Sequence, residues 1–418
     1  MAQLSDDCFA FNGPLMPVSE VLSLLASRLM GVDEHEVVPL ASADGRVLAH
    51  DLAAGIPLPP FTNSAVDGYA VRGADVPVEA ARSFPVTDYV QAGAQARTAL
   101  APGHAIRIFT GAPMPEGADT VFMQEDVAVE SEGSATLPPG LKRGSNVRPA
   151  GEDIPVGRQV LQRGHRLRPQ DIAVAAALGQ TEIGVLRRLK VAIFSTGNEI
   201  VAPGRPRGQA QLFDSNRFML SAMASRLGCA VTDLGILGDD QARIAGVLQE
   251  AATTHDLILT SGGVSTGEAD YVKASVESVG SLVFWRVAIK PGRPVAMGVI
   301  AGTPFIGLPG NPVASFVTFA LIARPAIITL AGSTPVPIVT TPVRAAFGYR
   351  KKAGRREYVR VSLRQAADGI HEAIKFPREG AGLLSSLVDT DGLVELEESV
   401  TEVKAGDIVG FVAYANLF

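Results

Sequence analysis

Between residues 188 and 332 the chain alternates near-continuous apolar runs with longer amphipathic ones, and this alternation limits the fold more than any other feature. LKVAIFS, AVTDLGIL, DLILTS and PFIGLPG read as strands bounded by turns. SNRFMLSAMASRLG, QARIAGVLQEAAT, EADYVKASVESVG and NPVASFVTFALIARPAIITLAG read as helices. Strands apolar on both faces need cover on both faces. A strand–helix alternation supplies it as a doubly wound, mostly parallel α/β sheet.

The flanks read differently. Residues 17–29 place Val21, Leu22, Leu24, Leu25 and Leu29 on one helical face, with Ser19 as the cap. PQDIAVAAALG is a short helix closed by Gly179, expected to pack with that first helix. YAVR, FPVTDYVQ, HAIRIFTG and TVFMQEDVAVE are β-prone pieces between Gly and Pro clusters. PVPIVTTPVRAAF, REYVRVSLR, GLVELE and DIVGFVAY predict a small C-terminal β-barrel. The expected units are therefore 1–54 with 147–187 as a discontinuous helical/mixed domain, 55–146 as a β-rich insertion, 188–332 as the α/β domain, and 333–418 as the barrel. A length of 418 residues suits several cores at roughly 150 residues per domain.

A net charge of −6 and a pI near 5.6 argue against a general nucleic-acid binder, which must neutralise phosphates. Cys8 and Cys229 form no disulfide framework, and the six histidines show no metal spacing. MAQLSDDCFAF lacks the basic and apolar regions of a signal peptide. Val313–Ala323 is too short to span a bilayer. A cytoplasmic protein without membrane contact is expected.

In an open α/β sheet, ligands bind beyond the carboxyl ends of the strands. Four loops fall there: Ser195 to Glu199, Gly238 to Asp240, Ser261 to Asp270, and Gly307 to Pro312. The third carries Ser261, Gly262, Gly263 and Ser265 before a helix, which suits an anion but equally a capped Gly-rich turn. In the fourth, Asn311 as N-cap and Pro312 at the first helical position would make an ordinary helix start. Glu199, Asp239 and Asp270 would converge there as magnesium ligands, or merely cap helices. Lys290 and Arg293 sit on a Pro/Gly turn beside this crevice, where they read either as two solvated surface cations, the commoner case, or as a rigid basic pair for an anionic substrate. The residues themselves thus lead to a crevice for a phosphorylated anion, with magnesium.

PFTNSAVDGYAVR, IFTGAPMPEGADTVFMQED, GSNVRPAGEDI, VAIFSTGNEIV, FDSNRFML, LTSGGVSTGEADYVK, VAIKPGRPVAMG and GLPGNPVASFVTF together resemble the molybdopterin molybdenumtransferase family, which includes the gephyrin E-domain. The resemblance runs from about residue 15 into the tail. It implies insertion of molybdate into adenylylated molybdopterin, with AMP released and magnesium required. It assigns Asp67, Thr110, Glu199, Asp270 and Lys290 to catalysis, and Glu199, Asp239 and Asp270 to the metal. Substrate binding falls to Arg148, Asp153, Ser261, Gly262, Gly263, Ser265, Arg286, Arg293, Pro309 and Pro312. Arg355, Arg356, Ser385 and Ser386 match family positions only loosely. The family has lysines at the positions of Arg286 and Arg293, and a forked guanidinium does not replace a point-charge ammonium one for one. A homodimer is implied, as are transient contacts with a molybdopterin adenylyltransferase and with apo-molybdoenzymes. Two alternatives remain at this level: an adenylyltransferase-like enzyme consuming ATP, and a non-catalytic scaffold of the gephyrin type.

Overall fold

The computed structural model describes residues 15–130, 133–263 and 271–417. Its centre is a six-stranded sheet in the order 230–237, 190–196, 257–261, 303–308, 294–300, 280–286. The first four strands are parallel, and the last two join antiparallel. Those two strands, GSLVFWR and PVAMGVI, go beyond the sequence reading, because short apolar runs look alike whether they form buried strand or buried helix.

Each strand sends alternate residues to opposite cores. Val191, Ile193, Leu257, Leu259, Val295 and Met297 join one cluster, which Leu220, Met223 and the helix Pro312–Leu330 cover. Ala192, Phe194, Ile258, Ala296 and Phe305 join the other, covered by Ile244, Leu248, Val272 and Val276. Burying each large side chain contributes about 1.5–3 kcal/mol, so a one-residue slip of any strand is strongly disfavoured.

The helix Pro312–Leu330 differs from expectation. It is 19 residues long with a mean hydropathy of 1.9, enough to cross a membrane by length and composition, yet 83 % of that stretch is buried inside the fold. A π-helical segment at Phe319–Ala323 precedes Pro325. The wider turn carries the helix past a residue that lacks an N–H.

The first helix, Val18–Arg28, also corrects the sequence reading. Pro17 holds the N-cap position with no side-chain bond, and Ser19 lies inside the helix. Val18, Val21 and Leu25 join the sheet-domain cluster with Ala320, Ala323 and Ile327, whereas Ala175 of the 169–177 helix sits in a separate cluster with Val38 and Leu48. The two helices do not share a core, because the apolar stripe of the first matches the long buried helix.

Strand His35–Pro39 pairs antiparallel with Glu182–Leu186, and Leu52–Ala53 with Gln159–Leu161, so segments on either side of the 55–146 stretch are laced together. That stretch carries a six-stranded sheet ordered 120–123, 68–71, 105–108, 82–90, 134–137, 128–130. In the tail, strands 356–365, 371–375, 341–345, 408–413 and 392–396 close on themselves through the 356–365 to 392–396 pairing, forming the expected small barrel. Ile289–Lys290 adds to this barrel, parallel to Arg356–Glu357. The basic turn of the sheet domain is thus fastened to the barrel.

Candidate functional site

Chain direction sends the carboxyl ends of strands 190–196 and 257–261 to one edge. Asn216, the first residue of helix Asn216–Arg226, ties the loops there together. Its Nδ2 donates to Ser261 Oγ at 2.8 Å and to the Gly310 carbonyl at 2.7 Å. Ser261 Oγ donates to the Pro309 carbonyl at 3.1 Å, and the Gly262 N–H to the Leu308 carbonyl at 3.0 Å. Ser261 and the Gly262 amide, both expected to bind substrate, therefore hold the Gly-rich loop against the Gly307–Pro312 loop. Around them Ser195 Oγ, Thr196 Oγ1, Asn216 Oδ1 and Thr260 Oγ1 are buried without partners. Each unsatisfied buried polar atom costs about 1–3 kcal/mol, so a group of four at one sheet edge calls for water, an ion or a ligand to supply the missing bonds.

The acidic candidates divide. Asp240 is taken by a helix cap, accepting the Arg243 N–H at 3.1 Å, while Asp239 precedes it on the same loop, partly exposed. Glu199 folds back over Gly197, where φ is +124° and a Cβ would stand 2.3 Å from a carboxylate oxygen. The positive φ favours glycine there, whereas the carboxylate, at the end of a flexible side chain, could swing aside. Ser265 and Asp270 lie outside the described residues, and among the described residues no three metal-ligating side chains group together. Asn311 holds the N-cap position and Pro312 opens the helix, as the helix-start reading has it, though the Asn311 side chain makes no cap bond.

The basic turn is closed by the Val287 N–H donating to the Arg293 carbonyl at 2.9 Å. Gly292 sits at φ +106°, and a Cβ there would meet Thr318 Oγ1 at 2.2 Å. Lys290 Nζ stands 3.3 Å from Glu357 Oε2, which also accepts the Tyr349 hydroxyl at 2.7 Å, while Arg355 Nε donates to Glu357 Oε1 at 2.7 Å. Burial alone would raise the Glu357 carboxyl. The bonds from Tyr349 and Arg355 and the Lys290 charge outweigh it and hold the pKa below the usual range. Burial, together with the bond to Glu357, pushes the Tyr349 hydroxyl up.

Beside this network lies a cavity of about 420 Å³. Lys290, Pro309 and Asn311 line it from the sheet side, and Arg360, Lys375 and Arg378 from the barrel. Lys375 is paired with Glu379 at 2.7 Å. Among the described residues Arg360 donates only to neutral partners, the Gly380 carbonyl at 2.8 Å and Ser386 Oγ at 2.9 Å, and burial lowers its pKa. The cavity therefore keeps a positive excess. Arg286 and Arg293 stand exposed on the same turn but do not line it. Arg356 is committed to Glu395 and Glu398. Sequence reasoning missed Tyr349, Glu357, Arg360, Lys375 and Arg378, because REYVRVSLR and its neighbours signal only strand.

A second group forms on the insertion. Asp67 accepts the Thr110 N–H at 2.8 Å and the Thr110 hydroxyl at 2.7 Å, which together hold its carboxyl below the usual range. Arg148 pairs with Asn63 on the neighbouring two-stranded ladder, and the Asp153 N–H donates to the Leu58 carbonyl at 3.1 Å. Among the described residues, no hydrogen bond or ion pair joins this group to the crevice.

Known proteins match along the chain. Family models match as "MoeA N-terminal region (domain I and II)" over residues 16–179, "Probable molybdopterin binding domain" over 192–329, and "MoeA C-terminal region (domain IV)" over 342–414. A molybdopterin molybdenumtransferase of Haemophilus influenzae is 36% identical over 405 residues, covering 96% of this chain and 100% of that protein. The molybdopterin molybdenumtransferase 2 of Mycobacterium tuberculosis is 36% identical over 383 residues, covering 88% of this chain and 92% of its own length. The crystal structure of a molybdopterin biosynthesis MoeA protein from Pyrococcus horikoshii OT3 superposes with a TM-score of 0.81 at 30% identity, over 96% of this chain and 100% of that one. From the barrel to the first helix, the chain belongs to the MoeA family of molybdopterin molybdenumtransferases.

Proposed function

We propose that this chain inserts molybdenum from molybdate into adenylylated molybdopterin, with release of AMP. One observation carries the proposal: the cationic cavity and the crevice of unsatisfied polar atoms adjoin through Pro309, which lines the first and accepts a bond from Ser261 of the second. A doubly charged tetrahedral oxyanion suits the first compartment. Arg360 and Arg378 line it, neither ion-paired with a carboxylate among the described residues, and Lys290 adds a charge half-offset by Glu357. The crevice suits a polar, phosphorylated ligand, whose groups would satisfy Ser195, Thr196, Thr260 and Asn216. Held in adjoining compartments, the two reactants meet as though at high effective concentration. The substrate's own thiol sulfurs replace molybdate oxygen, which takes up their protons and leaves as water, and a water molecule opens the phosphoanhydride to release AMP. No protein nucleophile is required.

Magnesium fits the residues present. Glu199 and Asp239 are oxygen donors on loops after adjacent parallel strands, and Gly197 leaves room for the Glu199 carboxylate. Magnesium favours one or two carboxylates plus phosphate oxygens and water. When bound, it supplies neutralising charge to the phosphoanhydride. Asp270 belongs to this proposal as a third donor.

The separation of Asp67 and Thr110 from the crevice supports a homodimer, in which that pair faces the crevice of a second copy. The four-unit division at 1–54 with 147–187, 55–146, 188–332 and 333–418, a cytoplasmic location, and transient contacts with an adenylyltransferase and apo-molybdoenzymes complete the proposal.

The test is AMP release from purified adenylylated molybdopterin, with and without molybdate and magnesium. Release that depends on both, with cofactor formed, is expected. ATP-dependent adenylylation of free molybdopterin without such release would move the protein to the preceding step and overturn the proposal.

A further inference from the structure

On another face of the helix Pro312–Leu330, Arg324 is half-buried and no carboxylate among the described residues pairs with it. The Nε of Arg324 is cut off from solvent without a hydrogen-bond partner, and no ion pair among the described residues includes the side chain. Further along the helix, Thr329 Oγ1 is likewise buried and unpartnered. Both residues line a cavity of about 320 Å³ between the first helix, the long helix and the 334–338 segment that leads to the barrel. The rest of its wall is mainly apolar, with Leu22, Leu25, Leu321 and Ile338 prominent. Its one carboxylate, Glu395, is already committed to Arg356 at 2.6 Å and to the Tyr358 hydroxyl at 3.2 Å.

Burial lowers the pKa of Arg324, and so does the charge of Arg166, a second cation. Guanidinium nevertheless stays protonated. A desolvated charge beside a like charge is costly unless an anion joins it, and an unanswered hydroxyl adds to that cost. A carboxylate in the cavity would answer the charge of the Arg324 guanidinium, with Thr329 on the same wall. The apolar wall then takes a hydrocarbon body, with room for roughly ten atoms at about 30 Å³ each.

We propose that this cavity binds an organic monocarboxylate with an apolar tail of about eight carbons. Its carboxylate lies on Arg324 and Thr329, and its tail along Leu22, Leu25 and Ile338. The site shares one wall residue, Tyr358, with the cationic cavity; Arg324 and Thr329 line only this one.

Calorimetric titration of the full chain with octanoate, 1-octanol and inorganic phosphate tests the proposal. Octanoate is expected to saturate one site per chain, with 1-octanol and phosphate weaker by roughly tenfold or more, since a bond to a charged group is worth about that factor. Arg324→Leu should weaken octanoate by a similar factor while melting at or above the wild-type temperature without ligand, because an uncompensated charge has gone. Thr329→Val, nearly isosteric, should weaken octanoate severalfold and serves as the second variant should Arg324→Leu fail to fold. Any of four results overturns the proposal: no octanoate binding at millimolar concentration, undiminished binding to Arg324→Leu or Thr329→Val, 1-octanol binding as tightly, or phosphate competing on equal terms. The third would leave a purely apolar pocket, and the fourth a bare oxyanion site.

Discussion

Glu357→Gln removes one charge at the seam between the basic turn and the barrel while keeping the side chain's shape. Glu357 is 1 % exposed and receives Tyr349 and Arg355 at 2.7 Å each, with Lys290 at 3.3 Å. Glutamine has a single acceptor oxygen, so it satisfies one donor and turns an amide N–H toward the other. Bonds to charged groups contribute about 1.5–3 kcal/mol each, so losing one and weakening the second costs roughly 3 kcal/mol near neutral pH. One core cluster contains both sheet residues and Tyr358, Leu393 and Val412 of the barrel, so the two should melt together. For a cooperative unit of about 230 residues, each kcal/mol shifts the melting temperature by about 2 °C, which predicts a fall of about 6 °C. The folded-state pKa of Glu357 is depressed, so its contribution is fully present above the unfolded value of about 4.3 and is lost as pH falls through the lower folded value. The gap between variant and wild type should therefore hold from about pH 7 to about pH 5 and narrow only in stronger acid. Trp285, the single tryptophan and fully buried in the shared cluster, provides the fluorescence signal. Melting within about 1 °C of wild type near pH 7, or a gap that widens in acid, would refute the account of this carboxylate.

Three further outcomes are expected. Asp67→Asn should lower molybdate-dependent AMP release by roughly tenfold or more without shifting the melting temperature, and unchanged turnover would remove Asp67 from the site. Gly292→Ala places a Cβ 2.2 Å from Thr318 Oγ1 at φ +106° and should destabilise by about 2 kcal/mol or more; a melt equal to wild type would show that the turn tolerates a side chain. Burial pushes the Cys229 thiol up to about 12, so in a Cys8→Ser background a maleimide at about pH 8 should label it only after denaturant is added, and rapid native labelling would contradict its burial.

The chain's local pattern determined a good deal. Apolar runs such as LKVAIFS and DLILTS, separated by amphipathic helices, admit few arrangements other than a doubly wound sheet. Once the strands are parallel, connectivity alone sends Ser195, Glu199, Asp239 and Ser261 to the same edge. Local turn chemistry was equally legible, as at Pro312 opening its helix and Gly179, at φ +83°, following the 169–177 helix. The resemblance supplied Asp67 with Thr110, two residues 43 positions apart that no periodicity connects.

Tertiary structure decided the rest, because it depends on which surfaces meet. The stripe on the first helix is compatible with any apolar groove, and packing chose the long buried helix over the 169–177 helix. Ser261 reads as a ligand donor until the loop carrying Pro309 folds against it and takes its hydroxyl. Of 37 lysines and arginines, nothing local shows that Arg360 lacks a carboxylate partner while Lys290 acquires a buried one 67 positions away. Those facts arise only when the barrel closes through its 356–365 to 392–396 pairing and the Ile289–Lys290 strand docks on its rim. Charge compensation is a property of long-range contacts, and the order of residues along a chain does not contain it until the fold brings them together.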